Sequence, residues 1–413
     1  MNTQTPRDLR QRNLKRLLRL VYFHEPISRL ELAKRSGFST ATVANLITQM
    51  LKHGLVERDG LEQSRGGRPR EILRIHREYG YFVGIEVAET HIHAALYDFK
   101  LNFLGQAHYE IAGDMSSPEL IADYVELSIK ELQAQCGILT SQILAVGVGL
   151  PGIVHPTDGV SVFAPNWGWE NVPLRDMLHD RLDIRFQLDN GFRALSLAEA
   201  LFGAGRGVSE LAVVLIGTGV SAGLITRHQL WRGATNSAGE WGHTCIDSDG
   251  PQCRCGRQGC VEVFVGAPGI IRQLGQIAPD SPILGSGTQK TILEALCTKA
   301  LDGEPTSMAV LDQVTHYLGL GIGNLVNLFN PSRVVLGGWC GDMLAPYVLP
   351  RLRKSLVEFA LASPASIVDL RGSEMEAQGV SLGAACLVLE TFLSGDLLPF
   401  FDTSTRLEET PLT

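Results

Sequence analysis

Two segments far apart in the chain open in the same way, and that likeness limits the possible folds more than any other feature. Val83-Gly84-Ile85-Glu86-Val87 is followed after a short break by His91-Ile92-His93-Ala94-Ala95-Leu96-Tyr97, which reads as a strand hairpin. Ala212-Val213-Val214-Leu215-Ile216-Gly217-Thr218-Gly219, then Gly223-Leu224-Ile225-Thr226, repeats that opening. A helix over Pro118 to Gln135 and a strand over Ile143 to Val148 follow the first copy. A duplicated strand, Gly-rich turn and strand predicts an α/β body of two lobes, with any ligand in the cleft between them. A chain of 413 residues has room for two or three domains. The apolar fraction of 45% and charged fraction of 19% exclude large-scale disorder. No apolar run reaches the roughly 20 residues that cross a bilayer. Met1 to Thr5 is polar and leads into no apolar signal segment, so a cytoplasmic protein with no membrane partner is expected.

Charge divides the chain. Residues 1–80 carry 16 Lys and Arg against 8 Asp and Glu, and the remainder carries 20 against 36. A basic head on an acidic body meets nucleic acid through the head alone. Within the head, Arg10 to Phe23 has Leu14, Leu17, Leu18, Val21 and Tyr22 at helical spacing. Ser28 is placed to cap a second helix, with Glu31 completing a capping box, and Gly37 ends it. Ser39 caps a third helix, whose apolar stripe is Val43, Leu46, Ile47, Met50 and Leu51 and which Gly54 closes. That is the helix-turn-helix layout. The opposite face carries Thr40, Thr42, Asn45, Thr48 and Gln49, short donors and acceptors suited to base edges in a major groove. Leu55-Val56-Glu57 and Glu71-Ile72-Leu73-Arg74-Ile75 then flank a turn-rich stretch. Its Arg65, Arg68 and Arg70, among glycines, suit a narrow minor groove, so the head is predicted to be a winged helix-turn-helix. With Arg29 at the start of the second helix, the expected DNA contacts are Arg29, Thr40, Thr42, Asn45, Arg65, Arg68 and Arg70.

The body holds one dense cluster of metal-ligand residue types. His243, Cys253, Cys255 and Cys260 would fill a tetrahedral zinc shell, with Cys245 a rival for the fourth place. Nothing in the pattern reserves an open position for an activated water, so the zinc is expected to be structural and the thiols reduced. Glu240 and Glu262 stand beside this cluster, and Asn166 lies next to Trp167. Carboxylates and amides near an indole are groups that hold a sugar's hydroxyls and cover its apolar face.

Several motifs together resemble the ROK family of repressors, open reading frames and sugar kinases, over nearly the whole chain. They are Gly149-Leu150-Pro151-Gly152, Ala164-Pro165-Asn166-Trp167, Gly217-Thr218-Gly219, Glu240-Trp241-Gly242-His243 and Cys253-Arg254-Cys255-Gly256-Arg257-Gln258-Gly259-Cys260-Val261-Glu262. Asn327-Leu328-Phe329-Asn330-Pro331 and Gly337-Gly338 also match. The winged head points to the repressor branch, which includes the glucose, N-acetylglucosamine and xylose repressors. The resemblance implies an actin- or hexokinase-like body and a structural zinc on His243, Cys253, Cys255 and Cys260. It also implies a sugar facing Asn166, Asn190, Glu240, His243 and Glu262. His243 then serves twice, one ring nitrogen on the metal and the other on a hydroxyl. The expected organisation is a head over 1–80, a first lobe over 81–200 completed by a C-terminal helix at 380–398, and a second lobe over 201–379 with the zinc knot and a dimerisation surface.

The departures from the family pattern bear on catalysis. Family kinases open with Asp-x-Gly-Gly-Thr-Lys to cradle phosphate, whereas the matching stretch is Glu86-Val87-Ala88-Glu89-Thr90-His91. Their general base is an Asp eight residues before a Glu. Eight residues before Glu199 stands Gly191, with Asp189 two residues early. Ser221 replaces a usual glycine in the second Gly-rich turn. No catalytic residue is therefore assigned. The expected function is a sugar-responsive DNA-binding repressor, a homodimer or homotetramer on operator DNA. A sugar kinase with an accessory DNA-binding head is the alternative. Arg193 lies near the vacated base position, where the N-acetylglucosamine repressor branch also has an arginine, which makes a sugar phosphate a candidate effector beside a neutral sugar.

Overall fold

The structure is a computed structural model that describes residues 5–62, 70–111, 117–164, 167–375 and 379–394. In the head, the first helix runs Pro6–His24, longer than its apolar stripe because Thr5 and Asp8 cap each other's backbone N–H groups reciprocally. Helices Arg29–Ser36 and Thr40–Lys52 follow, turning at Gly37 with φ 71°. The capping box expected at Ser28 is half made: Ser28 Oγ accepts from Glu31 N at 3.3 Å, but the Glu31 carboxylate takes Arg35 Nε at 2.8 Å instead. An arginine one turn on competes successfully for that carboxylate. Strands Val56–Glu62 and Arg70–Ile75 form an antiparallel wing, to which Ile27–Ser28 adds a third strand.

Both lobes carry a five-stranded mixed sheet with one strand order. In the first, Phe186–Asn190, Ile143–Leu150, Tyr81–Val87, His91–Tyr97 and Phe103–Glu110 lie side by side. In the second, the corresponding order is Asp369–Gly372, Arg333–Gly337, Glu210–Ile216, Val220–Thr226 and Gln229–Leu230. Each lobe thus begins with three antiparallel strands and adds two parallel ones on the far side of the first. The duplication read from the two openings extends to the whole sheet. The parallel strands of the first lobe end at Val87, Leu150 and Asn190, and ligands collect at such carboxyl ends.

A C-terminal helix, Gly379–Leu393, packs across the first sheet and onto helix Gly191–Phe202. Its approach requires glycine at two sheet positions. A Cβ on Gly84 would lie 1.8 Å from Ser381 O, and one on Gly147 would lie 1.9 Å from Ala384 O. The far end of this helix joins the core of the head. Phe392 stacks edge-on against Phe99 at 5.1 Å and Tyr79 at 6.0 Å, and Tyr22 of the first helix meets Phe99 at 6.1 Å. Arg19 to Glu390 at 2.6 Å and Lys100 to Glu25 at 3.2 Å close the same junction. Among the described residues, no helix is long and apolar enough to cross a membrane.

Candidate effector cleft, metal cluster and nucleic-acid face

The outer face of helix Thr40–Lys52 is set by its buried stripe, Val43, Leu46, Ile47 and Met50. Thr40 and Asn45 are exposed beyond it, while Thr42 is half-buried with its hydroxyl 2.9 Å from Ser39 Oγ. Arg70 is exposed at the start of its wing strand. Arg65 and Arg68 lie outside the described residues. Arg29, expected among the DNA contacts, is ion-paired within the head. Its Nε and Nη2 donate to Glu71 Oε2 at 3.2 and 3.0 Å, which ties the second helix to the wing. Arg58 takes the other Glu71 oxygen at 2.5 Å.

Asn190 ends strand Phe186–Asn190, at the carboxyl end of the first sheet. Asn190 caps helix Gly191–Phe202, accepting from Phe192 N at 2.9 Å, and its Nδ2 donates to Gly152 O at 2.8 Å. Asp189 is fully buried and ion-paired with Arg232 and, at 3.5 Å, with Arg193. It is an ionic anchor for the loop that crosses from the second lobe. Asn236 from that loop donates to Val154 O at 2.9 Å and lies 3.4 Å from Asp189. Arg193 is 5% exposed and stands between Asp189 and, at 3.7 Å, Glu240. Arg193 is thus buried and already paired, with Asp189 shared between it and Arg232, so two carboxylates face two guanidinium groups. Glu262 lies in helix Val261–Val265, buried, and accepts from Val220 N at 3.1 Å. Asn166 lies outside the described residues.

The four metal-ligand residues come together. One donor atom from each of His243, Cys253, Cys255 and Cys260 lies within 4.8 Å of the others, and Cys245 is exposed outside the group. Cys255 and Cys260 sulfurs are 3.7 Å apart, and Cys253 Sγ is 3.6 Å from His243 Nδ1. A zinc tetrahedron with usual bond lengths has edges of about 3.8 Å between sulfurs and about 3.6 Å from sulfur to nitrogen, so this donor set fits the ion. Gly259, at φ 64°, makes the turn possible, since a Cβ there would meet Asp247 O. Nδ1 is the ring nitrogen of His243 that lies against the cluster.

Where a kinase would cradle phosphate, Glu86 shares a cross-strand row with His93 and His108. Burial pushes its carboxyl up to about 7, with His108 pulling the other way. A carboxyl raised on folding binds its proton more tightly in the native state. It costs no stability at pH values below its unfolded pKa, and the full cost appears above about 7. Glu86→Gln is therefore expected to raise the melting temperature at pH 8, by up to about 3 kcal/mol in stability, and to change little at pH 4. Melting curves of both proteins at the two pH values check this. An equal effect at both would contradict the raised pKa.

Arg232, Asn236 and Arg254 were not singled out in the sequence. Only Arg254 carried a local signal, its place between two ligand cysteines. The other two sit in a loop whose partners are more than forty residues away.

Comparison with known proteins places this geometry. The model of the ROK family matches residues 82–391, and that of the MarR family matches residues 13–65. A xylose repressor of Caldicellulosiruptor bescii is 29% identical over 398 residues, covering 94% of this chain and 97% of its own. A crystal structure of a ROK family transcriptional regulator, a homolog of the E. coli MLC protein, superposes with a TM-score of 0.82 at 24% identity, covering 94% of this chain and 98% of the other. A ROK family glucokinase from Streptomyces griseus, solved with glucose and AMPPNP, gives a TM-score of 0.63 at 26% identity, with coverage of 75% and 99%.

Proposed function

Because the chain belongs to the ROK family, we propose that it is a sugar-responsive transcriptional repressor of carbohydrate uptake or metabolism genes, working in the cytoplasm and without kinase catalysis. One observation carries this reading: a winged head shares the chain with a two-lobed body whose base position is Gly191. Asn45, Thr40, Thr42 and the wing arginines Arg65, Arg68 and Arg70 read operator DNA as one half of a symmetric dimer. A neutral sugar sits in the cleft against Asn166, Asn190, Glu240, His243 and Glu262. The buried pairing of Arg193 supports a neutral ligand over a phosphate. Zinc on His243, Cys253, Cys255 and Cys260 holds the wall that carries Glu240 and Glu262. When bound, it supplies structure and a fixed imidazole, no open coordination site.

Sugar acts only through different affinity for the DNA-competent and DNA-incompetent states. The C-terminal helix offers the route, since Val380 lies against Gly149 and Gly191 at the cleft while Phe392 lies in the head's core.

The test is operator fragments selected from random DNA by the full-length protein, followed by titration with D-xylose, D-glucose and N-acetyl-D-glucosamine. Release by at least one sugar is expected. Asn45→Ala is expected to reduce discrimination among operator variants by about 1–3 kcal/mol. ADP production with the same sugars and ATP is expected to be undetectable, and Gly191→Asp alone is expected not to restore it, because loss of a base costs about 10²–10⁴-fold before the altered cradle is counted. Steady ADP release by the unaltered chain would favour the kinase reading, to which the glucokinase likeness lends its fold.

A further inference from the structure

Arg254 stands between two cysteines of the metal cluster but is not one of its donors. Its guanidinium forks onto Glu262, Nε donating to Oε1 at 2.9 Å and Nη2 to Oε2 at 3.1 Å. Val220 N adds a third bond to Oε2 at 3.1 Å, and the Cys253 sulfur lies 3.7 Å from Oε1. A carboxylate offers about four acceptor positions, so little of Glu262 is left for a hydroxyl. The two partners differ in exposure: the Glu262 side chain is 7% exposed and that of Arg254 is 43% exposed. The carboxylate is fixed in the wall, whereas the guanidinium has a way out to solvent. It also roofs the Gly217-Thr218-Gly219 turn, since a Cβ on Gly219 would come within 2.6 Å of Nη2.

We propose that Arg254 is a resident competitor for the effector's place on Glu262. It occupies the carboxylate in the sugar-free protein and swings into solvent when a sugar takes over its two bonds. This rests on the reading of the cleft as the effector site, and it narrows the effector's class. The entering group must offer two donors that fork onto one carboxylate, as the adjacent hydroxyls of a neutral sugar do. An anionic ligand would not displace Arg254 but pair with it. Removing the arginine therefore has opposite effects on the two classes: a neutral diol binds more tightly and an anion more weakly. A competing charge-assisted pair lowers apparent affinity by about tenfold to a hundredfold, which is the gain expected when it is removed.

Calorimetric titration of the full-length protein with D-xylose, D-glucose and N-acetyl-D-glucosamine tests this, on wild type, Arg254→Ala, Arg254→Met and Glu262→Gln. Metal content of each is measured in parallel. Arg254→Met keeps an unbranched apolar stem beside the cluster if the alanine variant loses metal. Tighter binding of at least one sugar by an arginine variant that retains metal, by about tenfold or more, is the expected result. Binding that is lost in Glu262→Gln but unchanged or weaker in both arginine variants overturns the role of Arg254 and leaves the cleft reading standing. Sugar binding that survives unchanged in Glu262→Gln, or no binding of any sugar by any form, overturns both.

Discussion

On the proposed zinc assignment, Cys255→Ser is expected to abolish metal binding and, with it, release of operator by sugar, while operator binding without sugar persists. The segment from Thr244 to Cys260 has almost no regular structure of its own. Apart from turns, its pairing consists of two isolated bridges, Cys245 with Cys260 and Gln252 with Gln258. Most of its side chains are exposed or half-buried, so little apolar burial holds it without a metal. Structural zinc is worth about 10–16 kcal/mol in small finger peptides at neutral pH, and even a fraction of that exceeds what these turns supply. Serine keeps the size of the side chain but is a far poorer zinc ligand than thiolate. The consequence reaches the cleft because the cluster spans both ends of the wall: His243 follows Glu240 by three residues, and Cys260 precedes Glu262 by two. The head is insulated from this loss, since its core is shared with Gly379–Leu393 and excludes the knot. Metal analysis, with operator affinity measured in the presence and absence of sugar, checks the expectation. A variant that retains one zinc per chain, or that loses zinc yet still releases operator normally, would contradict the role given to the cluster.

What could be read in advance was whatever depends on neighbours in sequence. The strand openings at Val83 and Ala212, the caps at Ser28 and Ser39 and the spacing of Cys253, Cys255 and Cys260 are local patterns, and each led to the element or cluster now described. The third strand of the first sheet, Phe103–Glu110, escaped notice because it is an edge strand with mostly exposed residues and no continuous apolar run. The cleft's ionic network was hidden for a different reason. Asp189 stands four residues before Arg193 and is a local partner, but whether Arg193 also meets Glu240 depends on where a loop from the other lobe crosses, and sequence spacing carries no record of that crossing. Arg29 and Glu31 illustrate the same limit at the surface. Each had one plausible role on local grounds, and each is claimed by another side chain: Arg29 by Glu71, which the fold brings into reach, and Glu31 by Arg35 one helical turn on, a local competitor that the capping pattern does not weigh.

Phe392→Ala is expected to uncouple the head from the cleft. The helix Gly379–Leu393 has 15 residues, a span of about 22 Å. One end touches Gly149, Gly191 and Leu195 beside the proposed effector site, and the other end carries Phe392 into the aromatic group of Tyr79, Phe82 and Phe99. Phe392 is 1% exposed, so its removal leaves a cavity and costs about 3–5 kcal/mol of stability. That cost alone says nothing about signalling. The informative quantity is the ratio of operator affinities with and without saturating sugar, because allosteric coupling is a free energy shared between two sites, commonly 5- to 150-fold. A helix that transmits movement as a rigid element needs close packing at both ends, and an interior cavity at the head end lets it shift without moving the first helix. The ratio is expected to fall to within about twofold of unity while sugar affinity itself changes little. Glu390→Gln, which removes only the partly exposed pair with Arg19, is expected to keep most of the coupling, since such a pair contributes about 0–1 kcal/mol. Phe392→Leu, which refills part of the cavity, separates packing from stability. If Phe392→Ala folds, binds sugar and still shows the full ratio, the signal reaches the head by another route, such as a change in spacing between two heads of a dimer.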